Sequence, residues 1–336
     1  MSTIAISYAH LTRLSDAHGI FEHAKFVEPR IDHGYCVDDV SRALVVIARE
    51  PERTKQQRAL ARIYLDFLVD AQSPDGQFRN RRSVDLVWED DPRVADHWGR
   101  AIWALGSVAN QIPELAQEAL TYFDISIARR SPWPRPMAFA ALGAAEVLRT
   151  RPRHKGARAL LTSASALIGA PTRRSDWRWP QPRLHYANAV LAEGLLAVGT
   201  GLGLGRTYAD GLVMLRWLLA IETSGGHLSV TPVGGWATGD PRPGFDQQPI
   251  EVSTLADACA RAYDDTGDHR WYDAVMLCEA WFLGANDVGI PMFDSVSGGG
   301  CDGLEQYGRN ENQGAESTLA LISTLQQARR LRQPRP

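Results

Sequence analysis

The segment HGYCVDDVSRAL (33–44) sets two adjacent carboxylates, Asp38 and Asp39, where a polar loop becomes an apolar helix. Acids recur in that setting at Asp96 in VADHWGRAIWALG, Glu251 in DQQPIEVSTLADA and Glu316 in NENQGAESTLALI. Any one of them is explained by the free amides and dipole of a first helical turn, which favour a carboxylate that does no chemistry. Four such positions on separate helices gain meaning if the helices bring them to one cavity. Two carboxylates in close company cannot both ionise readily, so one stays protonated and serves as an acid near neutral pH. Glycosidic cleavage uses that division, with a protonated carboxyl for the leaving oxygen and an ionised one for water or the anomeric carbon. Helical neighbours point about 100° apart. One of Asp38 and Asp39 can therefore face a cavity while the other caps the helix or pairs with Arg42. The catalytic candidates are thus Asp38 or Asp39, partnered by Asp96 or Glu251, with Glu316 binding a hydroxyl or tuning a neighbour.

The surrounding side chains suit a polyhydroxylated ligand. His33, Tyr35, His97, Arg100, Tyr186, Asn188, Gln248 and Asn312 offer hydrogen bonds to hydroxyls, and Trp88 and Trp179 offer faces for the apolar side of a sugar ring. The chain has ten tryptophans, several beside Gly and Pro in loops.

Helical periodicity supplies the scaffold. Apolar residues recur at spacings of three and four in 39–49, 56–71, 97–109, 114–129, 136–149, 156–168, 185–199, 207–222, 251–265, 269–284 and 314–329, with 4–17 as a twelfth candidate. Alternating stretches are few, 228–233 being the best, which makes the chain all-α. Helices rich in Ala and Gly, as in AFAALGAAEVL, suit an inner layer; those with one large apolar face, as in ARIYLDFLVDA, suit an outer one. Six of each imply six hairpins, and the N-terminal helix completes the outer set, so a closed ring is the economical arrangement. Links from outer to inner helices are long and hold most of the loop Trp, His, Asp and Gly; they would gather at one mouth. No internal linker interrupts the pattern, so residues 1–336 read as one domain.

Composition excludes other classes. Hydrophobic residues make up 44% and charged residues 22%, and 36 basic against 39 acidic residues give a net charge of −3. That gives no electrostatic case for nucleic acid or an anionic membrane. No window reaches the roughly 18–20 apolar residues of a membrane span. The N-terminus lacks a signal-peptide pattern, and the expected location is cytoplasmic. Cys36, Cys259, Cys278 and Cys301 show no metal-type spacing and read as reduced, mostly buried thiols. GLGLGRTY lacks a preceding strand and the last glycine of a nucleotide loop, and Pro92 interrupts the aspartates of EDDPRVAD. No metal or cofactor is expected.

With these motifs in view, the chain resembles the six-hairpin glycosidase superfamily, whose members close as (α/α)6 toroids. The hairpin pattern carries the resemblance along nearly the whole chain. HGYCVDDVSRAL, ADHWGRAIWALG, WFLGANDVGIPMFD and NENQGAESTLALI are similar to a little-characterised bacterial branch associated with glycosyltransferases and mannoside-processing enzymes. The Asp38–Asp39 pair is similar to the paired aspartates of bacterial endo-α-mannanases of this fold, which implies a nucleophile and an acid/base. The expected activity is hydrolysis of a bacterial oligo- or polysaccharide, with mannose as a candidate sugar. Sugar epimerases share the toroid and use paired histidines; His33, His97 and His185, each at an inner-helix entry, keep that alternative open. A non-catalytic glycan-binding toroid is the third.

Overall fold

A computed structural model describes residues 4–333. Among these, the inner helices are α2 (Val37–Ala48), α4 (Asp96–Gln111), α6 (Pro134–Thr150), α8 (Ala189–Leu202), α10 (Pro249–Thr266) and α12 (Ala315–Arg332). Each packs against the next in that order, and α12 returns to α2, which closes the ring. Outside it, α3 (Lys55–Ala71) packs on α2, α5 (Ala116–Ser126) on α4, and α7 (Lys155–Ile168) on α6 and α8. The circuit continues with α9 (Gly205–Ile221) on α8, α11 (His269–Phe282) on α10 and α12, and α1 (Ala9–Arg13) on α12. The architecture is the expected all-α (α/α)6 toroid.

Small residues make the inner layer possible. A methyl group on Gly106 would land on the carbonyl oxygen of Gly143, and one on Gly143 on that of Ile102. The α4 and α6 backbones therefore touch where any side chain would part them. α4 is buried without a break from His97 to Ala109, as expected of a helix with neighbours on every side. Below the mouth the axis holds buried charge in pairs: Arg49 meets Asp257 at 2.9 Å and Arg261 meets Glu193 at 3.0 Å.

Three expected elements differ. The N-terminal helix is five residues, not the whole of 4–17. Asp16 Oδ1 accepts from the amides of His18 and Gly19 at 2.7 and 3.1 Å, a turn that competes with further helix. The eighth helix begins at Ala189 rather than 185. Asn188 closes a side-chain ring on His185, accepting its amide at 2.9 Å and donating to its carbonyl at 3.1 Å, while Ala187 has φ +48°. In 228–233 only Leu228 joins a strand, the pair His227–Leu228 against Thr223–Ser224. The remaining strands among the described residues are likewise ladders two or three residues long in the connecting loops.

Candidate active site

A cavity of about 360 Å³ opens at the end where the inner helices begin. The first turn of α2 contributes Asp38, Asp39 and Arg42, and the start of α12 contributes Gly314, Glu316 and Ser317. Gln248 caps α10, Tyr186 precedes α8, and Glu22, His23 and Asp302 come from loops. Helix N-termini pointing at one space make it receptive to negative charge, which is why acids cluster there at tolerable cost.

The adjacent aspartates have different surroundings. Asp39 is 2% exposed; it accepts from Arg42 Nη1 at 2.5 Å and from Cys36 Sγ at 3.1 Å. Burial, the largest influence, outweighs the pull of Arg42 and, with Glu316 adding repulsion, raises its carboxyl to about 6. Arg42 also donates to Glu316 Oε2 at 2.6 Å, so one guanidinium ties the two ends of the chain together. Asp38 is more open, its side chain 23% exposed, with Arg100 Nε at 3.0 Å and Asn80 Nδ2 at 3.3 Å.

Asp96 lies in the first turn of α4, half-buried, one helical turn before Arg100. Among the described residues nothing donates to its carboxyl. Burial raises its pKa; Arg100 opposes the shift and Asp38 adds to it. Asp302, also raised by burial, accepts from the Gly314 amide and Ser317 Oγ, each at 2.8 Å.

Several expected site residues are engaged by contacts within the scaffold. Glu251 is buried and accepts from the amides of Ala187 and Asn188 and from Asn188 Nδ2, the last two at 3.1 Å. Burial pushes its carboxyl up to about 8, with Glu222 adding repulsion and those donors pulling the other way. Its geometry is that of an acceptor bracing the turn that holds Tyr186. Asn188 is consumed in the same brace. His97 is buried with Nε2 2.9 Å from the Phe78 carbonyl, and Tyr35, also buried, donates to Asp16 at 2.6 Å. Trp179 is 0% exposed and stacks on Trp217, so it seals the ring's end rather than lining the cavity. Trp88 packs against Phe67 and donates to Asp70 at 3.2 Å. Asn312 holds loops, its Oδ1 accepting from the Phe26 amide at 2.9 Å. His33 sits behind His23, with the two Nδ1 atoms 3.0 Å apart. Arg100, 1% exposed, reaches Asp38 beneath the mouth. Tyr186, Gln248 and Glu316 do line the cavity.

Sequence reasoning missed Glu22, His23, Asp302 and Arg135. The first three sit in loops whose return to the mouth no local pattern encodes. Arg135 carried a signal: a cation at the second position of α6 opposes the helix dipole. Donor atoms of Glu22, Cys36 and Asp39 lie within 4.8 Å of one another, a spacing open to a cation. Each is already engaged: Glu22 by Arg81, Asp39 by Arg42, and the thiol by Asp39. No helix among the described residues is long and apolar enough to cross a membrane.

Among solved structures, a sugar epimerase from a ruminal bacterium superposes with a TM-score of 0.71 at 10% identity, covering 96% of this chain and 95% of that one. The chain has the six-hairpin fold. A cellobiose 2-epimerase from Bacillus thermoamylovorans matches at TM-score 0.70 and 12% identity, over 93% and 95% of the two chains. A GH76 α-mannanase from Bacteroides thetaiotaomicron matches at 0.64 and 10%, over 96% and 94%. No protein-family model matches the sequence, and no curated protein does. Within the six-hairpin fold, neighbours of different chemistry lie at similar distance, so the cavity's own residues must discriminate.

Proposed function

We propose that this chain is a carbohydrate-active enzyme that hydrolyses a glycosidic bond in a bacterial oligo- or polysaccharide, mannosides being the first to test. The observation that carries the reading is the contrast between Asp38 and Asp96 on adjacent inner helices. Asp38 is in contact with Arg100 and Asn80, while Asp96 has no donor among the described residues and burial raises its pKa, which favours its protonated form. Asp96 would protonate the leaving oxygen, and Asp38 would act as base or nucleophile. Asp39 and Arg42 position Glu316, which would bind a hydroxyl with Gln248 and Tyr186. The cavity lies within the range of about 300–1,000 Å³ usual for small-ligand sites, enough for one or two sugar units. The test is a screen of purified protein on bacterial oligosaccharides with product detection, followed by Asp38→Asn and Asp96→Asn. Both variants should lose product formation; full turnover in both would sink the assignment.

A second reading is epimerisation or isomerisation, supported by His23. It lines the cavity, and burial followed by repulsion from His33 lowers its pKa, which favours the neutral imidazole a proton-abstracting base requires. His97, which a paired-histidine mechanism would also recruit, is occupied by the Phe78 carbonyl. Deuterium transfer from heavy water into recovered, uncleaved sugar would favour this reading over hydrolysis. Binding without either change would indicate a glycan-binding toroid.

A further inference from the structure

Three arginines at or just beneath the mouth each have a carboxylate in hand. Arg42 holds Asp39 and Glu316, Arg100 meets Asp38, and Arg81 meets Glu22. Arg135 has none: its Nε and Nη2 are closed to solvent and lack a hydrogen-bond partner. Asp96 and Glu251 act on it through space only. Its guanidinium lies 4.8 Å over the ring of Tyr186, a cavity-lining residue, and that of Arg100 lies 5.9 Å from the same ring with Nη2 also unpartnered. Burying a guanidinium edge without an acceptor is costly, and placing it at a helix N-terminus adds to the cost. Such a group earns its place when a ligand supplies the acceptor. Its planar fork matches a carboxylate or a phosphate, and rotation of one long side chain over Tyr186 would present it to the cavity.

We propose that Arg135, shelved on Tyr186 and flanked by Arg100, receives an anionic substituent of the saccharide, a uronate carboxylate or a phosphate ester. It thereby sets a preference for charged over neutral sugars. The inference rests on the mouth being a sugar site. A protonated Asp96 strengthens it, because one of the two acids that act on Arg135 then no longer offsets the guanidinium charge.

Calorimetric titration with D-glucose, D-glucuronate and D-glucose 6-phosphate tests it, since the three differ only at C6. At least one anion should bind about 10–100-fold more tightly than glucose, the range expected of hydrogen bonds to charged groups. Preference for glucuronate or for the phosphate identifies which anion the site takes. Arg135→Met should reduce the anion-to-glucose ratio to within about twofold, and Arg135→Lys, which keeps the charge without the fork, should leave it intermediate. Helical circular dichroism of each variant checks folding, and the lysine variant alone decides if the methionine one does not fold. The proposal is overturned if glucose binds as tightly as both anions, if neither anion binds at millimolar concentration, or if the ratio survives in a folded variant. Its failure is separable from that of the hydrolytic reading, which stands or falls on cleavage by the Asp38 and Asp96 variants.

Discussion

Asp96 and Asp38 sit one hairpin apart and share Arg100, yet only Asp38 is in contact with it. In the hydrolytic reading Asp96 must be protonated, so rate falls as pH rises through its raised pKa. Asp96→Asn should lower kcat by about 10²–10⁴-fold and abolish that alkaline limb. Rates on a cleaved substrate across pH check both, and an unchanged limb would remove Asp96 from the role. Asp39 makes a separate statement, about stability. Its folded carboxyl is raised to about 6 while an unfolded aspartate titrates near 3.9, so the native state holds a proton the unfolded chain has lost. Asp39's contribution to stability therefore falls as pH rises through that window. Asp39→Asn should show a shallower fall in denaturant midpoint between about pH 4 and pH 6; an identical slope would mean that Asp39 is not the group titrating. At this scale the Asp39–Arg42 pair was legible, because a spacing of three fixes neighbours on a helix. The scaffolding roles of Glu251, His97 and Trp179 were not, since loop and cap polar groups must first satisfy buried backbone, and the partners they find are distant in sequence.

The elements were the most legible level, because period and side-chain size are local, and inner helices such as α6 and α8 advertise themselves by Ala and Gly. The exceptions have local causes that periodicity cannot register: the Asp16 turn ending α1 and the Asn188 ring delaying α8. Small residues between α4 and α6 also carry a functional consequence, since α4 holds both Asp96 and Arg100. Gly106→Ala would press a methyl into the Gly143 carbonyl and force the helices apart. The expected loss is about 1–3 kcal/mol, the usual range for overpacking, measured as a shift in urea midpoint. Activity should fall with it as Arg100 moves relative to Asp38. A stable, fully active variant would mean that the contact yields without moving the site.

Closure belongs to the whole molecule. Six hairpins could be counted in the sequence, but a count does not distinguish a ring from an open superhelix; contact between the first and last inner helices does. At the mouth that seam is the Arg42–Glu316 pair. At the far end it centres on Glu50, just past α2, which accepts from Tyr8 at 2.5 Å, Gln326 at 2.7 Å and Arg329 at 2.8 Å. Gln326 also donates to the Val46 carbonyl at 2.7 Å. Burial alone would push the Glu50 carboxyl up, but the donors from Tyr8, Arg329 and Gln326 outweigh it and hold the group below the usual range. A depressed carboxyl stabilises the fold above its unfolded pKa and loses that contribution as pH falls through its folded value. Glu50→Gln should cost about 1–3 kcal/mol at neutral pH, the scale of a buried charge-assisted network losing its charge. The gap from wild type should narrow on acidification below about pH 4. Because Glu50 is remote from the cavity, the folded variant should turn over normally at low temperature. Equilibrium denaturation at several pH values gives both quantities. A gap that stays constant with pH would show that the seam is held by packing of α2 on α12 and not by its buried charge.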